Sequence, residues 1–306
     1  MVGGHATNVS VIGTLLGPLD MVIHDSLAHD SILAGIRLSG AKRRSFRHND
    51  ADALEEILRQ SRASARRVLI AIEGVYSMGG DIAPLRRIVE IKRRYHALLL
   101  VDEAHSLGVL GTTGRGAGEH AGVAREDVEL WMGTLSKSLA SCGGYIAGSS
   151  ALVRYLKYSN PGFVYSVGIS PANAAAALAA LRKLRANPGL VETLRKRSEF
   201  FLDLCRAAGV DTGFSGQTAV VPCIVGNSIH SVQLAHAMRR RRVNIQPILY
   251  PAVDENQARL RFFVTARHTE QQLKSAVEVL TEEVTAIAPS CLRSLVNPRS
   301  DAVAVG

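Results

Sequence analysis

Two uninterrupted apolar runs, each closed by a carboxylate, constrain this chain more than any other feature. Val68-Leu69-Ile70-Ala71-Ile72 leads into Glu73, and Ala97-Leu98-Leu99-Leu100-Val101 leads into Asp102. Runs this short and without alternation suit strands buried on both faces. Between them lies the polar turn Ser77-Met78-Gly79-Gly80-Asp81, and Pro84 falls in the first turn of a helical pattern reaching about Tyr95. The same rhythm repeats upstream. Residues 20–25 read as a short strand and 31–39 as a helix, and Asn49-Asp50 caps a helix over 51–59. Residues 130–133 and 144–148 read as two further strands. Strands alternating with helices imply an α/β fold with a mainly parallel sheet covered on both faces.

The start and the end of the chain read differently. Residues 3–8 form a glycine turn leading into a helix from Val9 to Leu16, which Gly17-Pro18 stops. An alanine-rich helix from Pro171 to about Arg185 is broken by Asn187-Pro188-Gly189, the best domain boundary in the sequence. Beyond it, a helix over 190–208, strands near 219–225 and 261–266, and a closing helix near 270–287 suit a smaller α+β domain. The 306 residues thus divide into a large domain over 1–187, a small domain over 188–288 and a tail over 289–306.

Charge and cysteine usage narrow the function. The net charge of +9 comes mostly from arginine, in clusters at Lys42-Arg43-Arg44, Lys92-Arg93-Arg94 and Arg239-Arg240-Arg241-Arg242. No aromatic interleaving accompanies them, so nucleic acid is not an expected partner. The second and third clusters sit near helix ends, where cations favour the dipole. The four cysteines show neither CxxC nor metal spacing, which points to a reducing compartment. No apolar run is long enough to cross a bilayer, and Met1-Val2-Gly3-Gly4-His5 carries no signal-peptide pattern. The cytoplasm is the expected location.

Lys137, in Gly133-Thr134-Leu135-Ser136-Lys137-Ser138, turns these strands into a chemical proposition. A single lysine is ordinarily a surface charge. This one follows a strand that returns to the sheet edge where Asp102 ends, the edge where ligands bind in open α/β sheets. An amine so placed suits Schiff-base chemistry, and the cofactor matching a lysine plus an aspartate is pyridoxal phosphate. The lysine holds the aldehyde, and the carboxylate keeps the ring nitrogen protonated.

Glu73-Gly74-Val75-Tyr76-Ser77-Met78, Asp102-Glu103-Ala104-His105-Ser106, and Gly133-Thr134-Leu135-Ser136-Lys137 followed by Gly143-Gly144 occur in order. Together they resemble the α-oxoamine synthases, within the fold type I, aminotransferase-like enzymes that use pyridoxal phosphate. The resemblance runs from the first residues to about residue 285. It implies a PLP-dependent acyltransferase that condenses a small amino acid with an acyl thioester, on coenzyme A or an acyl carrier. Loss of carbon dioxide then leaves an α-amino ketone. It implies that Lys137 binds the cofactor and moves the α-proton, that Asp102 pairs with the ring nitrogen, and that His105 meets the phenolic oxygen. His29 would stack on the ring and help position the thioester, and Ser77 would make a polar contact. Backbone amides near Gly4 and His5, with the Thr134 hydroxyl, would take the phosphate. Arg261 would clamp the substrate carboxylate, with Arg259 its rival on the same strand face. The resemblance also implies a homodimer and a chain shortened at its N-terminus. Two other readings remain: a different fold type I reaction such as transamination on the same lysine, or a shortened, silent or regulatory subunit.

Overall fold

A strand with no polar face can be satisfied only between two helical layers, and the chain builds such a sheet. The computed structural model describes residues 1–216 and 218–292. They form two units, Met1–Ser77 with Ile82–Glu192, and a second of Met78–Asp81 with the chain from Thr193.

The first unit contains, in chain order, α1 (Gly4–Leu15), β1 (Met21–Asp25), α2 (Asp30–Ser39), β2 (Lys42–Phe46), α3 (Ala51–Ser61), β3 (Val68–Glu73) and α4 (Leu85–Arg94). It continues with β4 (Leu98–Asp102), α5 (Ala117–Ala121), β5 (Leu130–Thr134), β6 (Gly144–Ala147), α6 (Ser150–Ser159), α7 (Pro161–Val164) and α8 (Pro171–Ala186). The sheet order is β2-β1-β3-β4-β5-β6. Neighbours from β2 to β5 pair parallel, and β6 closes the edge antiparallel to β5.

Alternation along each strand feeds two separate cores. Ile23, Ile70, Ile72, Leu99 and Val101 pack with Leu54, Leu58 and Ile88 from α3 and α4. Val22, Leu69, Ala71, Leu100 and Met132 pack with Val11, Ile12, Ile32 and Ile36 from α1 and α2. Fully burying each such side chain contributes about 1.5–3 kcal/mol. The count of alternation matters for the site. Glu73, Asp102 and Thr134 stand two residues beyond Ala71, Leu100 and Met132, so all three project toward the α1–α2 side. Gly35 lets those two helices approach closely, because a Cβ there would lie 3.0 Å from the Asn8 carbonyl oxygen.

The second unit receives α9 (Gly189–Ala207) after its first turn, and holds β7 (Val220–Ile224), α10 (Ser228–Arg240), β8 (Gln246–Ile248), β9 (Arg259–Phe263) and α11 (Glu270–Ile287). Its described strands are antiparallel in the order β7-β9-β8, over a core that includes Phe201, Val221, Leu234, Leu260 and Leu280. A capping box between Thr269 and Gln272 starts α11.

Several expectations need adjustment. The glycine turn is itself the first turn of α1, which begins at Gly4 rather than at Val9 because Thr7 N–H already bonds the Gly3 carbonyl at 3.0 Å. Pro84 is the N-cap of α4 and not part of its first turn. β9 starts two residues before the expected strand, since Arg259 and Leu260 pair with Ile224 and Cys223. The strands β2 and β8 were not anticipated. β2 exposes four of its five residues and β8 buries none fully, so neither has an apolar signature. The helix break at 187–188 is present, but the division between units falls inside α9 after Glu192, and residues 78–81 join the second unit. Of the expected tail, residues 293–306 lie outside the described residues.

Candidate active site

In this strand order the chain leaves β1 toward one edge through α2 and β2, then crosses to β3 and proceeds the other way. Such a switch opens a crevice at the carboxyl ends of the strands. A cavity of about 180 Å³ lies there, lined by Gly4, His5, His29, Asp102, His105, Thr134 and Lys137 from the sequence expectation. Asn8, Ser31, Glu73, Ala104, Met132 and Ser136 complete it.

Asp102 ends β4 and is buried. Its Oδ1 accepts the Ala104 backbone N–H at 2.9 Å, and its Oδ2 accepts Asn8 Nδ2 at 2.8 Å. Asn8 Nδ2 also donates to Ser31 Oγ at 3.0 Å, and Ser31 Oγ lies 2.7 Å from His29 Nδ1. His29 is the N-cap of α2, and its Nδ1 accepts the Ser31 backbone N–H at 3.2 Å. Because Nδ1 accepts, this network assigns the proton of the neutral ring to Nε2. Partial burial holds the His29 pKa below the ordinary histidine range, with Lys137 and His5 adding to the effect against Asp102. His5 meets His29 edge to face at 6.5 Å between ring centroids.

Lys137 sits in the loop between β5 and β6 and is exposed at the cavity. That loop closes on itself. Leu135 N–H bonds Gly143 O at 2.9 Å, Ser141 N–H bonds Leu135 O at 2.9 Å, and Ala140 N–H bonds Lys137 O at 3.0 Å. Thr134 Oγ1, buried at the strand end, donates to Gly143 O at 3.1 Å and lies 2.9 Å from Ser136 Oγ. The lysine therefore stands on a pinned backbone.

α1 supplies a place for an anion. Its N-cap Gly3 is extended and offers no side-chain cap, and its first turn holds no acid. The amides that open the helix are therefore uncapped by side chains, which favours a phosphate. A Cβ on Gly4 would lie 3.0 Å from Thr134 Cβ, so glycine lets this turn come near the threonine without crowding it.

Two expected residues are not among those that line this cavity. Ser77 is buried at the end of the turn after β3, outside the cavity lining, with its amide facing the Glu73 carboxyl. Arg261 lies on β9 in the second unit, 4.8 Å from the Phe263 ring centroid. Its rival Arg259 is committed within that unit, its Nε to Gln257 O at 2.8 Å and Nη1 to Met78 O at 3.2 Å. Burial lowers the pKa of both guanidiniums from their usual value.

Sequence reasoning missed Asn8 and Glu73 as site residues. Asn8 lies one helical turn after Gly4, which places both at the same end and face of α1. Glu73 occupies on β3 the position that Asp102 occupies on β4, and the two are register partners. That shared position was the available signal.

A lysine, an anchored aspartate and an anion-ready helix end thus meet at one edge of a mainly parallel sheet. The aminotransferase class I and II family model matches residues 1–280. The chain is 41% identical over 279 residues to the 8-amino-7-oxononanoate synthase of Exiguobacterium sibiricum, covering 91% of this chain and 71% of that protein. It is 40% identical to the enzyme of the same name from Fervidobacterium nodosum, covering 90% and 70%. Among solved structures, the Sphingomonas wittichii serine palmitoyltransferase superposes with a TM-score of 0.89 at 31% identity, covering 94% of this chain and 72% of that one. The 8-amino-7-oxononanoate synthase of Francisella tularensis superposes with a TM-score of 0.82 at 27% identity, covering 94% and 82%. The chain belongs to the aminotransferase class I and II family and, within it, to the α-oxoamine synthases. It is a pyridoxal phosphate-dependent acyltransferase that condenses an amino acid with an acyl thioester. No described helix is long and apolar enough to cross a membrane.

Proposed function

We propose that Lys137 and His29 act on the substrates and that Asp102, His105, Thr134 and the amides at Gly4 and His5 hold the cofactor. The observation that carries this reading is the convergence of these residues on one cavity at the strand ends. Pyridoxal phosphate, when bound, supplies an aldehyde that captures amines and a ring that accepts electrons. Asp102 is held in a fixed orientation. Two donors fix its oxygens, so a protonated ring nitrogen would meet an oriented carboxylate. The uncapped α1 terminus and Thr134 suit the phosphate, and His105 suits the phenolic oxygen. Ser77 contributes by fixing the turn after β3.

Lys137 Nζ takes the α-proton of the amino acid, a task its exposed position and flexible stem permit. His29, neutral and carrying its proton on Nε2, offers that N–H to the thioester carbonyl. Arg261 binds the substrate carboxylate, a group its planar fork of donors can take in bidentate fashion. The amino acid is a small one, and relatives named for 8-amino-7-oxononanoate make that amino ketone the favoured product.

A homodimer completes the proposal. Tyr158, Tyr165 and Val167 in the first unit are 74%, 87% and 80% exposed, with Tyr155, Phe163 and Leu178 exposed nearby. An apolar surface of this kind suits a second copy of the chain. Four free cysteines fit a reducing compartment, and we place the protein in the cytoplasm.

The test is direct. Borohydride should trap the cofactor on Lys137, and thiol should be released from an acyl-CoA only when glycine, alanine or serine is supplied. Cofactor trapping with no thiol release from any pair would favour transamination, and no trapping would favour a silent subunit.

A further inference from the structure

Glu73 and Asp102 end neighbouring parallel strands as register partners, so their backbones stand roughly 5 Å apart and their side chains leave the same face of the sheet side by side. Both side chains are buried, at 3% and 4% exposure, and both line the cavity. Their surroundings differ. Asp102 has a donor on each oxygen, Ala104 N–H and Asn8 Nδ2. The amides of His29 and Ser77 face the Glu73 carboxyl, yet its Oε1 is buried without a hydrogen-bond partner.

We propose that Glu73 and Asp102 share one proton, with the negative charge fixed on Asp102 and the proton on Glu73, so that Glu73 Oε1–H is a hydrogen-bond donor inside the Lys137 cavity. A buried anion needs donors on its oxygens, and an unpartnered oxygen is tolerable only on the neutral acid or against a ligand it can bond. Two buried anions side by side repel, and the one with fewer donors keeps the proton. The groups facing Glu73 are Asp102 on β4, Lys137 in the loop after β5, His29 before α2 and Tyr76 in the turn after β3. Burial is the largest influence and pushes the Glu73 carboxyl well up, and Asp102 adds to it.

The consequence reaches Lys137. An ionised Glu73 would be a second anion stabilising its ammonium form, whereas a neutral one leaves Asp102 as the single facing carboxylate of the pair. Glu73 is therefore a positioning residue that helps keep the amine available as a base. The inference deepens the site proposed above, but its test needs neither substrate nor turnover, so the two can fail separately.

Infrared spectra of the purified full chain, with carboxyl-labelled glutamate, read the protonation state. The wild type should show the carbonyl band of a protonated acid at neutral pH, and Glu73→Gln should lack it. In Asp102→Asn that band should vanish at lower pH, because the neighbouring charge is gone. Glu103 is the other buried glutamate at this edge, and burial also raises its pKa. Glu103→Gln removes its signal and assigns the remaining band even if Glu73→Gln does not fold. A carboxylate band for Glu73 at neutral pH, or a titration unmoved by Asp102→Asn, overturns the pairing.

Discussion

At the scale of single residues, the site separates charge from proton transfer. Lys137 is exposed on a pinned loop, while Asp102 is buried and fixed by two donors. Lys137→Ala should abolish the borohydride-stable mass increment and lower kcat by at least about 10²–10⁴-fold, the usual worth of a positioned base. Far-ultraviolet dichroism should be unchanged, since the loop is closed by backbone bonds that do not use the amine. His29 should titrate below about 6.5 in a carbon-proton NMR series, because its partial burial disfavours the imidazolium. For Glu73 the sign runs the other way. Its folded pKa lies above the unfolded one, so its contribution to stability is complete below the unfolded carboxyl range and declines as pH rises through the folded value. Glu73→Gln should flatten that decline in denaturant titrations run from pH 4 to 8.

At the scale of elements, helix contact at α1 and α2 sets the distance from the phosphate turn to His29. Gly35→Ala would bring a methyl within 2.9 Å of Ile12 Cβ and 3.0 Å of the Asn8 carbonyl, against packed neighbours. The expected cost is about 1–3 kcal/mol, read as a lower denaturation midpoint. Cofactor affinity should fall with it, because Asn8 also holds Asp102. At the opposite end of the sheet, buried Asp20 bonds Arg66, Arg67 and the Gly17 amide. The Arg66 guanidinium holds its carboxyl far below the usual range against burial, with further help from Arg67 and Gly17. Its stability contribution is present above the unfolded carboxylate pKa and is lost as pH falls, so Asp20→Asn should reduce the acid sensitivity of unfolding.

These elements also show what a sequence can disclose. Strands β3, β4 and β5 were legible because burial on both faces leaves no polar residue in the run until the functional one. Lys137, Asp102 and His105 were legible from their motifs, and the structure brings them to one cavity. Asn8 and Glu73 were not singled out, since a helix asparagine and a strand-end glutamate declare no chemistry until the register places them beside Asp102. The start of α1 was misread because glycine signals a turn, while here it permits close approach to Thr134.

At the scale of the whole molecule, the exposed aromatic surface between Tyr155 and Leu178 makes self-association the central expectation. Sedimentation equilibrium should return twice the 32.8 kDa chain mass. Replacing Tyr158 and Tyr165 with lysine should shift the population to monomer while leaving the fold intact, as both side chains are mostly solvated.

The other exposed border of the sheet is handled by a different device. β2 presents Lys42, Arg43 and Arg44 along an edge strand whose only buried residue is Phe46. An unpaired row of backbone donors and acceptors invites a foreign strand to add on, and edge cations are a standard deterrent. The cationic run that offers no nucleic-acid motif thus has a use as a fence. Threonine at those three positions should leave catalysis alone but turn a clear concentrated solution into one that scatters light and binds amyloid dyes.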